Sequence, residues 1–158
     1  MAIPEKIAQL VGKTVVESQI YEVERGAIRR FADAIDDSNP LYRDVEYARN
    51  SKYGTIIAPT GFCGWPIKGG LMEMMGSVMG PIMSAGYPVM VDAGVEFEPF
   101  IPIRAGDILS CYIKVANITE KTTKSGKSML MLTSEMNFIN QNGDKVLIVR
   151  NSAICREL

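Results

Sequence analysis

The run from Trp65 to Met83 constrains this chain more than any other stretch. Its composition is helical, and Leu71, Met72, Met74, Met75, Val78 and Met79 set apolar side chains nearly all round the axis. A helix of that kind is wrapped by protein instead of lying on a surface. Gly69, Gly70, Gly76 and Gly80 either weaken it or let a sheet approach closely. Pro81 is expected to end its regular part. The wrapping has to come from the second half of the chain, which is strand-like. Val89 to Phe97 is one candidate strand. Ile108 to Asn117 alternates Leu109, Cys111, Ile113 and Val115 on one face, and Leu130, Leu132, Met136 and Phe138 do the same in the next. Asn142-Gly143-Asp144 is a tight-turn signal, after which Val146 to Cys155 returns as the last strand. Helices first, an antiparallel meander second and one helix to bury make an α+β fold.

The first third is helix-rich. Ile7, Leu10 and Val11 are spaced for a short opening helix that Gly12 ends, and Thr14 to Val23 favours extended structure. Ile28, Phe31, Ala32 and Ile35 form one apolar stripe, so a helix runs toward Asn39-Pro40, where the proline stops it. Asp44 can cap a second short helix reaching about Asn50. Tyr53 to Phe62 reads as a loop, broken by Gly54, Pro59 and Gly61. No repeat or linker divides the chain, so a single domain over residues 1–158 is expected.

Composition removes several function classes. Seventeen basic residues against eighteen acidic ones leave a net charge of -1, which gives no field to attract nucleic acid or anionic lipid. Cys63, Cys111 and Cys155 are odd in number and widely spaced, which argues against a disulfide framework and a structural zinc site. The chain has no histidine, so most catalytic zinc sites are excluded as well. No apolar run approaches the length of a membrane span, and the charged start is unlike a secretory signal. A reducing cytoplasm is the expected home.

The missing histidine gives weight to one motif. Residues 36 to 48 contain Asp36-Asp37-Ser38-Asn39-Pro40-Leu41-Tyr42, then five residues, then Ala48. The segment resembles the water-handling motif of (R)-specific enoyl-thioester hydratases, Gly-Asp-x-Asn-Pro-aliphatic-His, then five residues and a small one. Asp37, Asn39, Pro40, Leu41 and Ala48 fall in register; Asp36 stands at the glycine and Tyr42 at the histidine. Tyr21 to Ala32 resembles the entry to that motif in MaoC-like dehydratases. Ile57-Ala58-Pro59-Thr60-Gly61-Phe62 resembles the loop before their central helix, and Pro102 to Asp107 their Pro-x-x-x-Gly-Asp turn. The branch most alike is that of MaoC-like N-terminal dehydratase domains, related to the dehydratase domain of fungal-type fatty acid synthase. It includes the non-catalytic subunit of the mycobacterial (3R)-hydroxyacyl-carrier-protein dehydratase.

The resemblance implies a hot-dog fold, with an antiparallel sheet wrapped round a central apolar helix. It also implies reversible addition of water to an enoyl thioester, carried on coenzyme A or a carrier protein, with no cofactor or metal. In that family an aspartate and a histidine hold the water and move the protons, a task that suits histidine because its pKa lies near neutrality. Here Asp37 keeps the aspartate's place, with Asn39 beside it. Tyr42 is a poor base at pH 7, since a phenol titrates near 10. Asp37 and Asn39 are also ordinary turn residues, and Tyr42 also reads as filler of a vacated histidine pocket. Substrate contacts are expected from Thr60, Gly61 and Phe62, where backbone N–H groups would meet the thioester carbonyl, and from Trp65 and Met75. Gly61 equally suits a plain turn. The methionines, Met79 and Met83 among them, suit core filling or an adaptable acyl lining. Lys121, Lys124 and Lys127 suit a solvated hairpin tip or contact with phosphates.

The expected function is therefore that of an acyl-thioester hydratase or dehydratase family subunit, incomplete alone. It would work as a homodimer, or as a heterodimer with a histidine-bearing MaoC-like partner, or as a dimer of dimers. Two alternatives stand beside it: a self-sufficient thioesterase or Tyr42-assisted hydratase, and a non-enzymatic acyl-CoA binding protein.

Overall fold

A computed structural model describes residues 3–62, 74–123 and 126–157, without the side chains of residues 17–19 and 75. Its frame is one five-stranded antiparallel sheet. The strands are β1 (Thr14–Glu22), β2 (Val89–Pro99), β3 (Ile108–Thr122), β4 (Ser128–Ile139) and β5 (Lys145–Arg156), in the order β1-β3-β4-β5-β2. Alternation made β3 and β4 visible in the sequence, though both run further than the apolar pattern suggested. β3 extends to Thr122 because its polar end pairs with the start of β4, Lys121 opposite Met129 and Thr122 opposite Ser128. Lys121 and Lys127 lie exposed at this hairpin, while Lys124 is outside the described residues. The turn from β4 to β5 closes as expected, with Gly143 at φ 84° donating its N–H to the Asn140 carbonyl at 3.0 Å.

One face of the sheet is apolar and carries two clusters. Val16, Leu109, Ile113, Phe138 and Val149 gather with Val23, Ile28 and Ile56 in the first. Ile118, Leu130, Leu132 and Cys155 gather with Ile7, Val78, Met79 and Ile82 in the second. Val78, Met79 and Ile82 are at most 2% exposed. They belong to the apolar run between Trp65 and Met83, so its described end is covered by the sheet. At roughly 1.5–3 kcal/mol for each buried aliphatic side chain, this contact is a main source of stability.

The described part of that run is not the regular α-helix its composition suggests. Met75–Met79 is a π-helical turn, and α4 (Gly80–Ser84) follows it. Pro81 lies in the first turn of α4 and does not end a helix. A proline is tolerated there because the first-turn N–H groups have no intrahelical partner. Residues 63–73, where the rest of the helix was expected, are outside the described residues.

The remaining helices are short. α1 (Glu5–Ala8) buries Ile7, whereas Val11, counted in its stripe, is 42% exposed. α2 (Arg25–Ala34) buries Ile28 and Ala32. It ends earlier than expected, and Asp36 ends it, not Asn39-Pro40. Asp36 adopts φ +54°, the Asp37 N–H reaches the Ala32 carbonyl at 2.9 Å, and the Asp36 N–H reaches the Asp33 carbonyl at 3.2 Å. This is a Schellman closure, with a left-handed residue at the position where glycine is usual. Ile35 consequently caps the helix at 51% exposure and drops out of the buried stripe. α3 (Val45–Asn50) starts as predicted, with the Asp44 carboxylate accepting from Glu46 N and Tyr47 N, both at 2.9 Å.

The other sheet face is charged along one row. Glu135, on β4, meets Lys114 Nζ at 2.7 Å and Arg150 Nε at 3.2 Å. Arg150 also reaches Glu96 at 3.3 Å and Glu98 at 2.7 Å on β2. Hydrogen bonding from Lys114 is the main cause holding the Glu135 carboxyl below its ordinary range, against the opposing effect of burial.

Substituting Asp36→Gly is expected to leave stability unchanged or raise it by up to about 1 kcal/mol, and Asp36→Val to lower it by about 1–2 kcal/mol, read from urea midpoints. At pH 7, Glu135→Gln should cost about 1–3 kcal/mol. The depressed pKa makes the Glu135 contribution complete above the unfolded value of about 4.3. The difference between wild type and variant should then shrink as the pH falls through the lower folded-state value, measurable by thermal melts across an acid series.

Candidate active site

The predicted motif folds as a compact loop between α2 and α3. After the Schellman turn, the Asp37 carboxylate accepts the Asn39 N–H at 3.0 Å. The Asn39 side-chain oxygen accepts the Leu41 N–H at 3.1 Å and caps a 3-10 turn over Pro40–Tyr42. Both residues therefore shape the turn, as their residue types allow. Sequence reasoning missed the clamp on this loop. Arg43 donates from two guanidinium nitrogens to the Asp37 carbonyl at 3.1 and 2.8 Å, and its third nitrogen meets Asp33 on α2 at 2.7 Å. Acids at positions 33, 36 and 37 followed by an arginine at 43 were the available signal.

Tyr42 leaves this loop partly buried and packs against the first apolar cluster. Burial pushes its phenol above the ordinary value of 10, and the neighbouring Asp37 carboxylate pushes it the same way; a hydrogen bond with the Asn39 side chain acts in opposition. The structure thus brings Asp37, Asn39 and Tyr42 together. At neutral pH the phenol is protonated, able to donate a hydrogen bond but not to take a proton from water.

A second loop lies alongside. The Ile57 N–H reaches the Leu41 carbonyl at 3.2 Å, which ties the segment before Thr60 to the turn that carries Tyr42. The Pro102–Asp107 turn holds the same segment from the other side. Ala58 N donates to Ile103 O at 2.8 Å, and Ala105 N to Ile56 O at 2.9 Å. Gly106, at φ 88°, makes this turn possible and donates to the Val23 carbonyl at 2.8 Å. The Asp107 carboxylate closes it by accepting the Arg104 N–H at 2.7 Å.

Between these loops and the end of β2 lies a cleft of about 350 Å³, lined by Tyr42, Tyr53, Thr60, Phe100, Ile101 and Leu147 among others. Its size lies within the range of small-molecule sites. Thr60 opens to it and is exposed. Phe62 turns instead toward α2, edge-on to Phe31 with ring centroids 5.6 Å apart. A Cβ at Gly61 would stand 3.4 Å from that Phe31 ring, an ordinary contact, so the fold around Gly61 does not itself demand glycine. Trp65 and the Met75 side chain lie outside the described residues, as does the helix start expected after Phe62. Of the other methionines, Met79 is core and Met83 is 47% exposed. A further cleft of about 390 Å³, near Arg25 and Arg49, contains none of the predicted site residues. Among the described residues there is no acidic, cysteine or histidine cluster able to hold a metal ion, and no helix long and apolar enough to cross a membrane.

This architecture is shared with solved structures. The chain superposes on one chain of the ChsH1-ChsH2 complex from Mycobacterium tuberculosis with a TM-score of 0.72 at 20% identity, covering 97% of this chain and 95% of that chain. The match to the HadBC (3R)-hydroxyacyl-ACP dehydratase complex of the same organism has a TM-score of 0.67 at 17% identity, over 92% and 96%. A MaoC-like dehydratase from Rhodospirillum rubrum gives 0.61 at 26% identity, over 94% and 93%. The sheet and helices thus form the hot-dog fold of MaoC-like dehydratases. In sequence, a UPF0336 protein of Thermobifida fusca is 35% identical over 80% of this chain and 79% of its own length. A probable enoyl-CoA hydratase alpha subunit of Thermomonospora curvata is 27% identical over 92% of this chain, which spans about half (49%) of that protein. The family model for the FAS1-like dehydratase domain region matches residues 9–149, and the chain belongs to that family.

Proposed function

We propose that this chain is the non-catalytic subunit of an (R)-specific enoyl-thioester hydratase, or (3R)-hydroxyacyl-thioester dehydratase, completed by a partner that carries the histidine. The observation that carries the reading is the loop itself. Its turn, cap and aspartate are kept, but a phenol held above its ordinary pKa stands where a base is needed, in a chain without histidine.

The chemistry explains why that single position matters. Adding water to an enoyl thioester requires the water oxygen to bond to the β-carbon while a proton leaves it, and a proton to arrive at the α-carbon. A carboxylate beside a neutral imidazole can orient the water and take its proton near pH 7. Asp37 beside a protonated Tyr42 can orient water through hydrogen bonds, but it has no neighbour of suitable pKa to share the proton. General acid–base help is worth roughly 10²–10⁴-fold, so its loss leaves the chain close to inactive alone. What this subunit supplies is structural: the sheet, the cleft beside Tyr42 and Thr60 as a wall for the acyl group, and a strand edge for pairing. The heteromeric complexes among its structural neighbours and the alpha-subunit relative support this division of labour.

The purified chain should turn over crotonyl-CoA and a longer enoyl-CoA no faster than the uncatalysed background, followed by the ultraviolet absorbance of the conjugated thioester. Asp37→Ala should change nothing in that assay, whereas Tyr42→His should produce measurable hydration. Robust wild-type turnover that Asp37→Ala abolishes would overturn the reading. Thiol release from a saturated acyl-CoA would point instead to hydrolysis.

A further inference from the structure

The cleft beside Tyr42 carries charge that an acyl thioester has no use for. Its wall is apolar, built from Ile57, Ile101, Ile103 and Leu147 with the rings of Tyr53 and Phe100. Two lysines stand over those rings. Lys52 Nζ lies 5.0 Å from the Tyr53 centroid, and Lys145 Nζ lies 5.4 Å from that of Phe100. Both rings are fixed through the backbone. The Tyr53 N–H donates to the Oγ of Ser51, the residue that closes α3, at 3.1 Å. The Phe100 N–H donates to the Val146 carbonyl, next to Lys145, at 3.0 Å.

Nothing in the protein neutralises these cations. Among the described residues neither lysine forms an ion pair, and no acid lines the cleft. The motif carboxylate Asp37 stands outside the lining and accepts the Asn39 N–H at 3.0 Å. The hydroxyls of Tyr53 and Thr60, both lining residues, make no hydrogen bond to protein among the described residues. The cleft therefore offers an apolar wall, free hydroxyl donors and two cations at its rings.

That combination fits an apolar body ending in an anion. Attraction between ammonium and anion strengthens where low-dielectric walls displace water, and hydrogen bonds to a charged acceptor are the strong ones. The acyl group of a thioester carries no charge, and the phosphates of its carrier lie a whole pantetheine arm away. An unesterified acid has its charge on the acyl chain itself.

We propose that this cleft binds a small unesterified carboxylic acid, with its tail against Ile101 and Leu147 and its carboxylate in the field of Lys52 and Lys145, where the Tyr53 hydroxyl is a donor. The binding is independent of the heteromeric reading above, since it needs neither a partner nor turnover.

The test titrates hexanoate, hexanamide and coenzyme A into the purified chain, followed by ligand-observed NMR. Hexanoate and hexanamide share a tail and differ in charge, and coenzyme A supplies phosphates without an acyl group. Hexanoate is expected to bind at least about 10-fold more tightly than hexanamide, and coenzyme A not to displace it. Lys52→Gln combined with Lys145→Gln should remove that difference and leave hexanamide unchanged, with folding checked by circular dichroism. Tyr53→Phe keeps the ring beneath Lys52 and should weaken hexanoate about 10-fold. Raising the salt from about 0.15 M to about 1 M should narrow the gap between acid and amide, because the screening length falls from about 8 Å to about 3 Å. Equal affinity for acid and amide, or no binding of either, would overturn the proposal. So would a hexanoate affinity that the double lysine variant leaves unmoved. Displacement of hexanoate by coenzyme A would assign the lysines to phosphates and overturn it as well. Enoyl-CoA turnover by the chain alone would sink the functional reading and leave this inference standing.

Discussion

A sheet that hides one face from water needs something apolar laid across it, and the segment around Val78, Met79 and Ile82 is what this chain provides. Everything else takes its position from that contact. Val15 and Met74 pack against both apolar clusters and join the two halves of the covered face. The first cluster draws in Ile28 of α2 and Ile56 of the following loop, so the helix that carries the motif and the loop that faces it rest on the same strands. The candidate site is thus a rim feature, aimed by a core that does none of its chemistry.

The loop shows how a turn can hold its shape independently of the side chain that it presents. Its shape depends on Asp36 in a left-handed turn, on two side-chain oxygens accepting backbone N–H groups, and on Arg43 grasping the Asp37 carbonyl. None of these contacts requires an imidazole at position 42. Exchanging histidine for tyrosine therefore removes a proton acceptor while leaving the turn intact. The same contacts account for the family's glycine: the backbone needs a left-handed residue there, and an aspartate can supply one at some cost in strain.

Much of this was legible from residue order. Period-two alternation located β3 and β4, and Asn142-Gly143-Asp144 located the turn that returns the chain as β5, because those signals are local. Asp37, Asn39 and Tyr42 were expected together and are found together. What could not be read was non-local or conformational. A left-handed aspartate at 36 looks like any acid in a helix-like run, so α2 was drawn too long and Ile35 counted as buried. The π-helical turn before Pro81 leaves no mark on the apolar pattern of the sequence. The edge-on contact of Phe62 with Phe31 joins a loop to α2 and has no local signal in the sequence. The sharing of Arg150 among β2, β4 and β5 involves residues more than fifty positions apart in sequence, a pairing that no spacing rule reaches.

The carboxylates of β2 act on the strand that carries them. An edge strand with exposed valine, methionine and phenylalanine is the part of a fresh polypeptide most prone to stack with its neighbours into insoluble material. Asp92, Glu96 and Glu98 interrupt that surface with charge, and the irregularity at Gly94 bends it. Charge and irregularity together therefore make this strand a poor template for stacking.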